Sequence, residues 1–318
     1  MKICWLIAII LLTAGCATDP GAVVSFSALA PDANKLHSLT VAYADAPREL
    51  VDLDVLKDVN KIERDQLAND VETRNIQVAQ IDALHAVLVE YMKSLGALAN
   101  NSLVQTSTDT KFVTDGLTAL SKAKPSIGLT NDMITGVGSI CTFLGDAATA
   151  AYRQKELSSI IEKSEAPFQQ LVAVEKIIVK EVVIKELNNV KNRTRALAVV
   201  THALNLNAEE ESRKYPVPNE GDTGVKGLDP RLRGSGAADI ASLYLLKKEI
   251  FSDLATLDLQ IKAATDYVAA LDKISSAHTV LYNNRKNVLT VKGAKNAIIQ
   301  LSPLVKEANI ALHALKNM

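Results

Sequence analysis

Among the side chains that could take part in chemistry, one cysteine stands out by its position. Cys16 directly follows Ala14 and Gly15, at the end of an apolar run over residues 3–12. Lys2 precedes that run. A positive start, an apolar segment of about ten residues and an exit through small residues are typical of a secretory signal. The run is too short to cross a bilayer, which needs roughly 20 apolar residues.

The residues up to and including Cys16 resemble the lipobox of bacterial lipoproteins. In that family the cysteine thiol receives a diacylglyceryl group, a dedicated peptidase cuts before the cysteine, and the new amino group is usually acylated by a chain such as palmitate. Thr13 stands where leucine is usual, and Leu12 lies one position too early. The resemblance implies a lipid on Cys16 and peptidase recognition through four residues: Leu12, Thr13, Ala14 and Gly15.

The resemblance also implies a location. One acyl chain holds a protein only marginally, whereas two or three attach it durably, at about 0.8 kcal/mol per buried methylene. The protein would therefore be held at the cell membrane. Ala17 stands where an aspartate often marks inner-membrane retention in the family, which favours the outer membrane, facing the periplasm, in a Gram-negative cell. The alternative is an ordinary cleaved signal in which Cys16 is incidental.

The other candidate groups show no pattern that a metal site or a catalytic centre requires. Five histidines are scattered, with no His-Glu-x-x-His motif and no Cys-x-x-Cys motif. His85 and His278 lie on apolar stripes, which favours buried core histidines over ligands. Cys141 lies among small apolar residues, and we interpret it as a buried, inert thiol. The sequence therefore predicts no metal, no cofactor and no catalysis.

Composition favours a helical protein. The chain has 318 residues, of which 48% are hydrophobic and only 4% aromatic, so its core must be built from Leu, Ile, Val and Ala. Those residues suit packed helices better than half-buried sheets. Without residues 1–15 the chain carries 34 basic and 36 acidic side chains, because only Lys2 is lost. That balance makes nucleic acid a poor partner.

Apolar residues recur at spacings of three and four along most of the chain, which predicts amphipathic helices. The longest pattern runs from Ile240 to Tyr282, and a helix of about 45 residues would be roughly 70 Å long. We predict an all-α fold, an elongated antiparallel bundle of four to six long, coiled-coil-like helices. The predicted helical segments are 48–103, 107–123, 131–163 with a continuation as far as 214, 240–282, and 291 to the last residues. The first should stop at Asn100-Asn101-Ser102 and the long one at Asn283-Asn284. The apolar stripe of the first consists of Val78, Ile81, His85, Leu88, Met92, Leu95 and Ala99.

Breaks in these patterns divide the chain. We predict a signal peptide over 1–15, a lipidated N-terminus and tether over 16–46 with a short helix near 34–44, and the helical domain over 47–318. Residues 215–236 hold three prolines and five glycines and should form a long exposed loop. The segment Ser164-Glu165-Ala166-Pro167 should either cap a new helix or kink a continuous one.

Residues 133–145 are all uncharged, which suggests a further hypothesis. Small residues, which let helices approach closely in membranes, are frequent over 133–151. A bundle of long helices with an apolar helical hairpin is similar to the cytolysin-type helical pore-forming toxins. Asp132 and Asp146 bracket a stretch too short to span a bilayer, so close packing in the core explains it more simply. The candidate membrane or partner contacts are Met133, Ile134, Val137, Ile140, Phe143 and Leu144.

These observations favour a non-enzymatic envelope lipoprotein. Lipid would fix one end, and helix faces or the loop 215–236 would bind an envelope protein, so that the chain acts as a scaffold, spacer or assembly factor. A pore-forming or membrane-remodelling protein using residues 133–151 is one alternative. A small-ligand carrier or an unrecognised enzyme is the other.

Overall fold

The computed structural model describes residues 19–31, 33–45, 61–104, 106–107, 109–149, 156–214 and 232–313. All regular secondary structure in these ranges is helical, which confirms the all-α prediction. The helices are α1 Gly21–Ser27, α2 Ala33–Asp45, α3 Lys61–Ala99, α4 Thr110–Ala123, α5 Asn131–Thr149, α6 Leu157–Ile178, α7 Lys185–Lys214, α8 Leu232–Asn284 and α9 Val291–His313.

The chain divides into two compact units. Unit 1 comprises Met1–Lys185 and Lys262–Met318, and unit 2 comprises Glu186–Ile261. Helices α1 to α6, the C-terminal part of α8 and α9 therefore belong to unit 1. Unit 2 contains nearly all of α7 and the N-terminal part of α8.

Helix α3 organises the core of unit 1, since α1, α2, α4, α5 and α6 all pack against it. Its apolar stripe is the one that the sequence predicted. Ile81, Leu88, Met92 and Leu95 are each at most 1% exposed. Complete burial of one such side chain contributes roughly 1.5–3 kcal/mol, so this stripe is a main source of stability in unit 1.

The predicted end of α3 is confirmed. Asn101 has a φ of 51°, in the left-handed region, and its amide donates to the Leu98 carbonyl at 3.1 Å. The Ser102 amide donates to the Ala97 carbonyl at 2.8 Å. This pair of bonds is a Schellman motif, in which asparagine takes the position that glycine usually fills. It satisfies two carbonyls that the end of the helix would otherwise leave unpaired.

The short helix predicted near residues 34–44 is confirmed by α2. The predicted tether is nevertheless wrong for residues 19–31 and 33–45, because both helices in these ranges pack in unit 1. Helix α1 packs against α3 and α9, and α2 packs against α3. Ala22, Val23, Phe26 and Leu29 are 0% exposed. A helix of seven residues is too short to show a sustained apolar period, and the prolines near its ends were interpreted as tether residues although they flank helices.

The predicted helix over 131–163 is also wrong. Helices α5 and α6 are separate and pack against each other. A Cβ atom on Gly136 would lie 2.8 Å from the Cβ of Gln170, so the two backbones approach closely there. One continuous helix would hold these residues about 50 Å apart. Pro167 lies inside α6, so the prediction that residues 164–167 could cap a new helix is wrong as well.

Three further features of the fold differ in how well they agree with the sequence predictions. A π-helical segment, Val179–Ile184, joins α6 to α7, and no sequence pattern indicated it. Helix α8 begins at Leu232, so the loop prediction is wrong for residues 232–236, while residues 215–231 lie outside the described ranges. The predicted end of α8 at Asn284 and the predicted start of α9 at Val291 are confirmed.

Candidate functional site

The first described residue is fixed to the core of unit 1. The Asp19 amide donates to the Leu289 carbonyl at 3.0 Å, just before α9 begins. The Asp19 carboxylate in turn accepts a 2.9 Å hydrogen bond from the Gly21 amide at the start of α1. Cys16 and residues 12–15 lie outside the described ranges. Three residues of chain reach at most about 10 Å, so Cys16 must lie within that distance of Asp19.

Helix α1 connects this end of unit 1 to a buried aromatic cluster. The Phe26 ring packs edge-on against Phe168 at 5.9 Å and against His278 at 5.5 Å. Phe168 and His278 stack with ring centroids 4.3 Å apart. The N-terminal helix is thus part of the same packed cluster as α6 and α8.

His278 lies at the centre of a buried polar network, which we call the Tyr91 network. Its members are Tyr91, Ser164, Glu165 and His278. The His278 Nε2 atom lies 2.7 Å from the Tyr91 hydroxyl, and its Nδ1 atom lies 2.5 Å from a Glu165 carboxylate oxygen. The Tyr91 hydroxyl also lies 2.5 Å from the Ser164 hydroxyl. These bonds tie α3, α6 and α8 together.

Burial determines the protonation states in the Tyr91 network. It lowers the pKa of His278 below its ordinary value, against the opposing effect of the Glu165 carboxylate. Burial acts to raise the pKa of Glu165, but hydrogen bonds from His278, Thr279 and Gln169 outweigh it, so that pKa is lowered. In a neutral imidazole, Nδ1–H donates to Glu165 and Nε2 accepts from Tyr91, so the Ser164 hydroxyl hydrogen is shared between the Ile160 carbonyl and the Tyr91 oxygen.

This arrangement has the residue types of a proton relay, and Ser164 lines a groove between α5 and α6, but Tyr91 and His278 are fully buried. Tyr91 is fully buried, and burial raises the pKa of its hydroxyl well above the ordinary value, so it stays protonated. The Ser164 hydroxyl donates to the Ile160 carbonyl at 2.8 Å, and its other close partner is Tyr91. A serine nucleophile needs an adjacent base, and neither group can act as one. We therefore assign the network a structural role.

A second buried cluster joins the same three helices, α3, α6 and α8, about two to three helical turns away. The His85 Nδ1 atom lies 2.8 Å from the Tyr267 hydroxyl and 3.2 Å from a Glu175 carboxylate oxygen. All three side chains are at most 1% exposed. The Tyr267 hydroxyl donates to the same Glu175 oxygen at 3.1 Å. Like the Tyr91 network, this cluster fixes the register of three helices by directional bonds.

The sequence identified the histidines of these clusters as core residues, and both are buried as predicted. It missed their glutamate partners, Glu165 and Glu175. These glutamates lie 113 and 90 positions from their histidine partners along the chain, too far apart for a local sequence motif to link them. One signal was available: Glu175 lies at helical spacing from the apolar Leu171 and Ile178. A lone acid on an apolar stripe requires a buried partner.

The predicted state of Cys141 is confirmed. The residue is 3% exposed, and burial raises the pKa of its thiol to about 11. The thiol is therefore protonated at neutral pH. Since the thiolate is the nucleophile and the metal ligand, Cys141 has little of either reactivity.

The candidate membrane segment lies on α5, and its side chains are divided between two environments. Val137, Ile140 and Leu144 are at most 1% exposed, in the core of unit 1. Met133, Ile134 and Phe143 are partly exposed. In the part of the chain that the structure describes, none of the helices combines the length and the apolar character needed to span a bilayer.

A groove of about 590 Å³ lies between α5 and α6. Its lining is mixed, and it includes Ser139, Phe143 and Asp146 from α5 and Ser159, Lys163 and Pro167 from α6. Neither of the two buried histidines lines this groove, but Ser164 of the Tyr91 network does. Across all described ranges, no group of three or more His, Cys, Asp or Glu side chains is placed to hold a metal ion.

Unit 2 carries an unusual apolar surface. Its two helices lie side by side, with Lys191 of α7 paired to Asp258 of α8. Val190, Ile250 and Leu257 are buried. Seven large apolar side chains of the unit are nevertheless more than half exposed: Val199, Val200 and Leu206 on α7, and Tyr244, Leu245, Phe251 and Leu259 on α8. The four on α8 lie on its outward side, and we call them the apolar face of unit 2.

Comparison of the chain with protein-family models, with curated proteins and with solved structures finds no match in any of the three.

Proposed function

We propose that this protein is an envelope lipoprotein, attached to a membrane through acyl chains on Cys16, that acts as a scaffold, spacer or assembly factor. The lipobox-like residues 12–16 support the attachment. The long helices and their stripes at three-four spacing support an elongated antiparallel arrangement with coiled-coil character. The location that follows is the outer membrane, facing the periplasm, if the cell is Gram-negative.

One observation carries the scaffold role, namely the apolar face of unit 2. Scattered exposed apolar residues are normal, but seven large ones within two paired helices are more than solubility permits without a reason. Tyr244 and Phe251 lie seven residues apart, which is two helical turns, so they occupy one side of α8. Aromatic side chains are enriched among the residues that dominate the binding energy of protein interfaces. We therefore place the partner site on this face, and its occupant is another envelope protein.

The test is site-specific crosslinking in whole cells. A photoreactive residue in place of Phe251 should give an adduct with another protein, while the same residue in place of Phe112 should not. Phe112 is the matched control, since it is 44% exposed but lies on α4 in unit 1. Equal adducts at both positions, or none at Phe251 and Tyr244, would contradict the partner role.

We do not propose pore formation through residues 133–151. Burial of Val137, Ile140 and Leu144 supports a packing role for α5. Exposing these side chains to lipid would require α5 to leave the contacts that it makes with α3, α4 and α6.

A further inference from the structure

Helix α9 has two sharply different faces. Its buried face consists of small and apolar residues that are 0% exposed: Ala294, Ala297, Leu301 and Ala308. Successive residues of an α-helix are rotated by about 100° around its axis, so the centre of the face opposite these residues lies close to Lys292, Ile299 and Lys306. Ile299 and Ile310 are 62% and 65% exposed. We call the basic and large apolar residues among the exposed ones the basic face of α9: Val291, Lys292, Lys295, Ile299, Lys306 and Ile310. The other exposed residues of α9 are Asn296, Gln300, Ser302, Pro303, Asn309 and Glu307, and the Glu307 carboxylate is paired with Lys273.

The charge of this region is one-sided, although the chain as a whole is nearly neutral. Residues 285–306 contain five basic side chains and no acidic one. Arg285 is paired with Glu162 at 2.9 Å. Within the described ranges, the lysines at 286, 292, 295 and 306 form no ion pair, and all four are exposed. Lys286 acts on the nearby Glu162 carboxylate, while the charges of the other three lysines are free to attract an anionic surface.

The basic face of α9 begins close to Asp19, the first described residue of the chain. Leu289, whose carbonyl accepts the Asp19 amide, precedes α9 by one residue, Thr290. Cys16 lies within about 10 Å of Asp19 because only two residues separate them. On the proposed function, on which this inference rests, the acyl chains enter the bilayer within that distance of the start of α9.

We propose that the basic face of α9 lies flat on the bilayer and binds anionic phospholipid headgroups. A helix with lysines and exposed apolar residues on one face has the form of an interfacial helix. The lysines bind the headgroups, while Ile299, Ile310 and Val291 reach the boundary of the acyl chains. The 23 residues of α9 extend about 34 Å along the surface. The lipid on Cys16 and this face together give two attachments, which fix the orientation of unit 1 on the membrane.

The experiment tests this surface in a protein that lacks the acyl chains on Cys16. Residues 16–318 carrying Cys16→Ser retain every described residue and have no acyl chain. This protein should bind vesicles of phosphatidylglycerol mixed with phosphatidylcholine, should not bind pure phosphatidylcholine, and should dissociate at high salt. Each lysine near an anionic surface strengthens binding about fivefold, so the double variant Lys292→Gln/Lys295→Gln should bind roughly 30-fold more weakly.

The matched control is the double variant Lys122→Gln/Lys180→Gln, which removes the same charge elsewhere. Both control lysines are exposed, and Lys180 lies about 27 Å along the helix from Glu162, the partner of Arg285. The control should bind like the parent protein. Three results would each overturn the proposal: failure of the protein to bind phosphatidylglycerol vesicles, the same loss of vesicle affinity in the two double variants, or binding that does not depend on lipid charge. None of these results bears on acylation of Cys16, which is measured separately on the N-terminal peptide.

Discussion

At the scale of single residues, His278 is the best reporter of the folded core. It is 0% exposed and bonded on both ring nitrogens, so its protonation would place a positive charge in the core. Burial lowers the pKa of His278, so the folded state binds its proton less readily than the unfolded chain does. Its stabilising contribution is therefore complete above the unfolded pKa of about 6.5 and is lost as the pH falls through the lower folded pKa.

We expect the melting temperature to fall as the pH is lowered below about 6.5, and His278→Gln to reduce that dependence while lowering stability at neutral pH. Because the pKa of Glu165 is also lowered, a further loss should follow below its ordinary value of about 4.5, with the same sign. Thermal unfolding followed by circular dichroism across this pH range measures both effects. His202→Gln, at an exposed histidine, is the control and should keep the parent profile. A steeper dependence in His278→Gln than in the parent would contradict the account.

At the scale of elements, α1 distinguishes a folded N-terminus from a tether. Phe26→Ala removes a fully buried ring from contact with Phe168 and His278, which should cost roughly 3–5 kcal/mol. Phe112→Ala removes the same ring from an exposed site and should change stability by about 0.5 kcal/mol at most. The urea midpoint of each variant reports the difference. If both variants unfold at the same midpoint, α1 does not belong to the core.

The elements also show what a single sequence can predict. The apolar stripe of α3, the stop at Asn101, the end of α8 at Asn284 and the start of α9 at Val291 depend on local spacing and local caps, and they were predicted. Helix α1 is too short to show a period, and its burial depends on partners in α3 and α9 that lie far along the chain. The separation of α5 from α6 was missed because helical propensity and apolar spacing continue through residues 149–157.

The candidate site divides in the same way. The lipid on Cys16 rests on a local motif and stays a prediction, whereas the buried state of His85, His278 and Cys141 was predicted from their apolar neighbours and is confirmed. The basic face of α9 was not predicted, although its lysines are visible in the sequence. Its significance depends on the hydrogen bond between Asp19 and Leu289, which brings the N-terminal chain to the start of α9. Long-range contacts of this kind have no signature in one sequence.

At the scale of the whole molecule, the proposed function assigns different tasks to the two units. Unit 1 carries the attachment, through the chain before Asp19 and the basic face of α9. Unit 2 carries the apolar face that we propose binds another envelope protein. A protein built this way holds its partner at the membrane without needing a catalytic group.

The central claim is acylation of Cys16, and the N-terminal peptide of the protein purified from membranes tests it most directly. We predict a mass spectrum in which Cys16 is the first residue and carries a diacylglyceryl group on its sulfur and a further acyl chain on its amino group. A Cys16→Ser protein should lose this peptide. A mature chain that begins at another residue, or that retains Cys16 with a free thiol, would contradict the account.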